Sequence, residues 1–258
     1  MLTKKRQRQF LAEKEQRWLH ELVVFDESRD EKALHRLRLE VKKIRALVEL
    51  AKVRSGKRAA VHVSGLKKMF REAGVIRDAG SRVRFLEERH LLPEGHRDWQ
   101  ARSIQVAGDT FAAKIHQYRK KGKKASKRLK TEMHPIHAGR VLHWYAGEII
   151  RTGVLLSGAG DELHRARKKI KTMLYVQKLL PAAITERVRL NTDYLDQLQE
   201  AIGQWHDAVV AMAGWAADYP EGKREVYREC LDKEQAVRTL AVEFHLLVHE
   251  NRRKLDVI

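Results

Sequence analysis

The chain has 258 residues, with 53 Lys and Arg against 34 Asp and Glu, a net charge of +19 and a pI near 10.1. Its single Cys230 excludes an intramolecular disulfide and any metal site built from several cysteines. The longest apolar-looking stretch, Ala208 to Ala217, is too short to span a bilayer, and a field of this sign favours polyanions without choosing among them.

The start, Met1 to Phe10, is basic and lacks the apolar core of a signal peptide, so a cytoplasmic protein is expected. From there apolar residues recur at spacings of three and four, and β-branched alternation is scarce. The pattern predicts helices over residues 3–28, 31–54, 58–91 and 94–121. Arg119 to Lys130 then reads RKKGKKASKRLK, which fits a solvated and partly mobile linker or an electrostatic collector of anions. Further helices are predicted over 135–157, 161–180, 183–218 and 220–254.

Pro93, Pro135, Pro181 and Pro220 all lie between periodic segments, where proline can start a helix but not continue one. Asp30 and Asp161 stand where an N-cap or first-turn acid belongs. The expected class is all-α, with four helices in each half and two four-helix units related by pseudo-symmetry.

The halves share sequence. Leu34-His35-Arg36-Leu37-Arg38 returns 129 residues later as Leu163-His164-Arg165-Ala166-Arg167. At the same offset Gly74-Val75-Ile76-Arg77-Asp78-Ala79 returns as Gly203-Gln204-Trp205-His206-Asp207-Ala208. Without a gap, 11 of the 47 positions from 34 to 80 match their partners, and the recurring residues include a histidine and several cations. The repeats are expected at approximately 1–130 and 131–258.

On a helix with His35 at zero, Lys42, Arg38 and Arg45 fall at about 340°, 300° and 280°. Leu34, Leu37, Val41, Ile44 and Val48 fill the adjoining arc from about 180° to 260°. The cations therefore flank the buried stripe instead of opposing it, and Lys43 projects elsewhere. In the second copy His164, Arg167 and Lys171 repeat the stripe, Leu174 replaces Arg45, and Lys168 and Tyr175 sit on the other shoulder. Repeated beside the core of two related helices, such cations point to an anion site more than to stems snorkelling from a core edge. His35 and His164 read equally as packed helix histidines or as phosphate contacts whose charge would strengthen binding from pH 8 to pH 6.

Gly74 and Gly203 interrupt helical runs at a cost of about 1 kcal/mol each, which predicts close approach of another helix where a Cβ is missing. Arg77 and His206 follow on the same side and are expected to face the anion. Asp78 and Asp207 are expected to orient a basic side chain.

These residues resemble the CHAD family, the conserved histidine α-helical domain. The pattern is His35-x-x-Arg38-x3-Lys42-Lys43-x-Arg45 followed by Gly74-x-x-Arg77-Asp78, then His164-x-x-Arg167-x3-Lys171 followed by Gly203-x-x-His206-Asp207. The resemblance implies two four-helix bundles about a pseudo-twofold axis, with a basic central cavity that binds inorganic polyphosphate, and association with polyphosphate granules. It carries over His35, Arg38, Lys42, Arg45, Arg77, His164, Arg167, Lys171 and His206 as lining residues. Thr172, Leu174 and His206 depart from the usual basic pattern, so a weaker grip is expected from the second half.

Two other readings compete. Nucleic-acid binding is expected only as a non-specific, low-salt property, because no aromatic platform interleaves with the cations and no helix-turn-helix or zinc finger is recognisable. A phosphoryl-transfer enzyme would need clustered carboxylates or a phosphate-cradling loop, and Gly153, Gly158 and Gly160 form no such loop. The expectation is a non-catalytic protein with no cofactor, no metal and no membrane partner.

Overall fold

In a computed structural model, residues 1–55, 63–88, 96–215 and 223–249 are described, and every regular element among them is a helix. The chain divides into two compact units, Leu2–Ile136 and His137–Ile258.

The first unit begins with α1 (Lys4–Ser28), whose Thr3 side chain accepts from the Arg6 amide at 3.2 Å, as an N-cap does. It ends at Arg29, which adopts a left-handed φ of 55° and donates its amide to the Phe25 carbonyl. Asp30 then accepts from the Lys32 amide at 2.9 Å and opens α2 (Glu31–Ser55). Next come α3 (Ser64–Glu87), α4 (His96–Ala112) and α5 (Ile115–Glu132). Leu11, Trp18, Leu22 and Phe25 of α1 are buried with Leu34, Leu37, Val41 and Ile44 of α2. Leu66, Met69, Ala73 and Ile76 of α3 complete that core, while Leu2 and Ile136 exchange backbone hydrogen bonds of 2.8 and 3.0 Å.

The second unit starts with α6 (Ala138–Leu156), followed by α7 (Asp161–Gln177), which has Asp161 and Glu162 in its first turn. Then follow α8 (Ala182–Val188), α9 (Thr192–Trp215), α10 (Lys223–Val242) and the single turn α11 (Phe244–Leu247). Leu163, Ala166, Ile170 and Met173 pack with Leu195, Leu198, Ile202 and Trp205. Two buried tyrosines hold helices together through their hydroxyls: Tyr145 donates to the Met173 carbonyl at 3.0 Å and Tyr194 to the Leu240 carbonyl at 2.7 Å.

Three of the expected helices divide. The 94–121 helix stops at Ala112, where Lys114 donates to Phe111 in a tightened turn, and α5 carries on to Glu132. The basic stretch 119–130 is therefore helix and not a mobile linker. Its small buried residues, Gly122, Ala125 and Ser126, keep the helical period under a covering of lysines. The 183–218 helix breaks at Arg189, whose φ is 48°, and resumes after Asn191, whose side chain accepts from the Tyr194 amide at 3.1 Å. The 220–254 helix stops at Val242 before the single turn of α11. The expected stretches 58–62, 89–91, 94–95, 216–218, 220–222 and 250–254 lie outside the described residues.

Candidate anion-binding faces

Arg38 leaves the apolar stripe of α2 and reaches across to α3. Its Nη1 donates to the Phe70 carbonyl at 2.6 Å, and its guanidinium carbon lies 4.2 Å from the centre of the Phe70 ring. Arg45, two turns along α2, stands 5.4 Å from the same ring. A guanidinium within about 6 Å of an aromatic ring is attracted by the ring's quadrupole. Phe70 thus anchors two of the expected cations.

Gly74 explains how Arg38 fits. A β-carbon there would fall on Arg38 Nη1, so the missing side chain makes room for a guanidinium. The expected neighbour, a second helix pressed against the glycine, is not what fills the space. Phe70 is four residues before Gly74, so its carbonyl already serves the α-helix and takes the arginine as an extra donor.

The second unit has the same construction. Arg167 donates through Nε to the Gln199 carbonyl at 3.0 Å, and a β-carbon on Gly203 would collide with Arg167 Nη2. Both arginine bonds span 32 residues.

Around Arg38 the charge is dense. Burial lowers its pKa most, Asp78 pulls it back up, and Arg77 and Arg45 push it down again. It stays cationic, since a guanidinium does not deprotonate in a protein. Arg77 pairs with Asp78 at 2.8 Å, with both side chains still reaching solvent. His35 is exposed and Lys42 half-buried on the same helix. Lys43 turns away, bound at 2.6 Å to the buried Glu40.

In the second unit histidines take the corresponding ground. The His164 and His206 rings stack with centroids 4.0 Å apart and planes 28° from parallel. Burial, then His206, Lys168 and Arg167, holds the His164 pKa down at about 4. Burial also lowers that of His206, with Asp207 and Asp161 opposing and Arg167 and Lys168 assisting. Both pKa values therefore lie below that of a free imidazole, which disfavours the charged form of either ring. His164 Nδ1 is buried with no hydrogen-bond partner among the described residues. Lys168 is exposed and Lys171 half-buried, whereas Leu174, at the position of Arg45, is only 6 % exposed.

The structure thus gathers Arg38, Arg45, Arg77 and Asp78 in one unit and His164, Arg167, Lys168 and His206 in the other. Sequence reading missed Phe70 and the Gln199 carbonyl. Their signal was their place, four residues before each repeated glycine. Among the described residues no three His, Cys, Asp or Glu side chains gather as metal ligands. Nor is any described helix long and apolar enough to cross a membrane.

A family model described as CHAD domain matches residues 4–215. The crystal structure of the CHAD domain from the plant Ricinus communis has the same fold, with a TM-score of 0.72 at 15% identity, covering 98% of this chain and 95% of that one. No curated protein matches the chain.

Proposed function

The chain belongs to the CHAD domain family, and on that premise we propose that it is a non-catalytic binder of inorganic polyphosphate, built as two repeats of one domain. The observation that carries the reading is the arginine laid over a glycine in both units, with further cations grouped around it. Holding like charges together costs free energy that a bound polyanion returns.

In the proposed complex Arg45 and Arg77 bridge phosphate oxygens with their forked donors, while Lys42, Lys168 and Lys171 act as adjustable point charges. Arg38 and Arg167 spend part of their donor set on helix carbonyls and offer the rest. His35, His164 and His206 contribute hydrogen-bonding groups, and phosphate contact opposes the lowering of the His164 and His206 pKa values. Asp78 orients Arg77 through their ion pair, and Asp207 acts on His206 through its charge, which favours the imidazolium. A cytoplasmic place on polyphosphate granules follows from this reading.

Competition at about 0.15 M salt tests it. Labelled long-chain polyphosphate bound to the protein is challenged with DNA, RNA, tripolyphosphate and orthophosphate. Retention against nucleic acid of equal charge is the expected result. Equal displacement by every polyanion would leave only a non-specific basic surface.

A further inference from the structure

The densest run of charge in the chain lies outside both faces, on α5. That helix buries Ile115, Tyr118, Gly122, Ala125, Ser126 and Leu129. A β-carbon at Gly122 would come within 2.5 Å of the Trp18 ring, and one at Gly65 within 2.8 Å of the Lys121 carbonyl. So α5 is seated tightly on α1 and α3, as a fixed mount.

The opposite side is almost wholly cationic. Arg119, Lys120, Lys121, Lys123, Lys124, Lys127 and Arg128 are all exposed, spread along about 14 Å of helix. None of these seven side chains has an ion pair or hydrogen bond among the described residues. Nearby carboxylates are already engaged: Glu72 by Lys114 at 3.0 Å and Tyr118 at 2.5 Å, Glu15 by Lys130 at 2.9 Å. From Ile115 to Thr131 the sequence has no acid.

The charge continues past the end of the helix. Lys130 joins Lys4, Lys5 and Arg8 around a cleft of about 550 Å³. Arg8 donates to the Lys130 carbonyl at 3.0 and 3.1 Å, joining the end of α5 to the start of α1.

We propose that α5 and the Lys4–Arg8 end of α1 form a second, surface track for long-chain polyphosphate, separate in its residues from the two arginine–glycine faces. This rests on the polyphosphate reading and extends it to chain length. A linear, flexible polymer with a charge on each unit can follow a convex row of cations, whereas a rigid duplex meets a convex helix over only part of its length. The exposed side of α5 has no Phe, Tyr or Trp on which bases could stack. It has no exposed large apolar residue to enter a bilayer. Short chains fill a face, and long ones also run along the track.

The test is the full-length variant Lys120→Gln/Lys123→Gln/Lys124→Gln/Lys127→Gln, titrated with long-chain polyphosphate, tripolyphosphate and duplex DNA at several salt concentrations. Unchanged helicity and melting are the folding control. Long-chain affinity is expected to fall by about tenfold or more at low salt, with the logarithmic salt slope shallower by about 3, and tripolyphosphate binding unchanged. Unaltered long-chain affinity and slope in a variant whose parent binds polyphosphate would remove the track and leave the proposed function standing. A parent that binds no polyphosphate would overturn both. A larger loss for duplex DNA than for polyphosphate would make the track a nucleic-acid surface and overturn the proposal.

Discussion

Arg38 occupies the space that a side chain at Gly74 would need, and it uses that space to reach the carbonyl of Phe70. Gly74→Ala gains up to about 1 kcal/mol of helix propensity. It also displaces a charged hydrogen bond worth about 1.5–3 kcal/mol when well shielded, and less at a half-exposed site. The expected result in urea unfolding is a net loss of about 1 kcal/mol. In an Arg38→Ala background the same change should become stabilising, and the pair Gly203→Ala and Arg167→Ala should behave likewise. Additive effects would show that glycine and arginine are independent.

Arg45→Gln and Arg77→Gln should each weaken polyphosphate binding and reduce the logarithmic salt slope by about 0.7. Neither side chain donates to a helix carbonyl among the described residues, so melting should change little. Arg140→Gln, exposed at the start of α6, is the control. An equal loss from Arg140→Gln would mean that total charge, and not its placement, governs binding.

Stability should fall on acidification in a defined window. The unfolded chain protonates His164 near pH 6.5, while the folded chain resists until about pH 4. Between these values the unfolded state binds more protons, so folding stability drops as pH falls. His206, also lowered by burial, adds to the effect in the same direction. His164→Asn should flatten the profile between pH 6.5 and 4 in thermal melts. Bound polyphosphate should reverse the trend, since phosphate favours the imidazolium.

Polyphosphate should raise the melting temperature through mass action, by about 2.7 kcal/mol of added stability at a free concentration one hundred times Kd. Differential scanning at matched ionic strength reads it. The absence of a shift at saturation would contradict a site already formed in the folded protein.

The cationic stripes were legible because α2 and α7 are regular helices: a 3.6-residue period places Arg38, Lys42 and Arg45 beside Leu37, Val41 and Ile44 with no tertiary knowledge. The break at Ala112 was not, because lysines hide the apolar period of α5 and Gly122, Ala125 and Ser126 carry little hydrophobic signal. The recurrence of Arg38 with Gly74, and of Arg167 with Gly203, was visible as a fixed spacing. Its meaning was not, since a hydrogen bond to Phe70 or Gln199 requires knowing how two helices cross. The lowered pKa of His164 was equally hidden, because it comes from burial and from the His206 ring.

The paired backbones of Leu2 and Ile136 put the entrance and exit of the first unit side by side. Strand-like partners of this kind keep their Cα atoms about 5 Å apart. The folded unit therefore begins and ends within the span of one or two extended residues. Such a unit could be spliced into a surface loop of another protein with little strain on the host, carrying its basic helix with it.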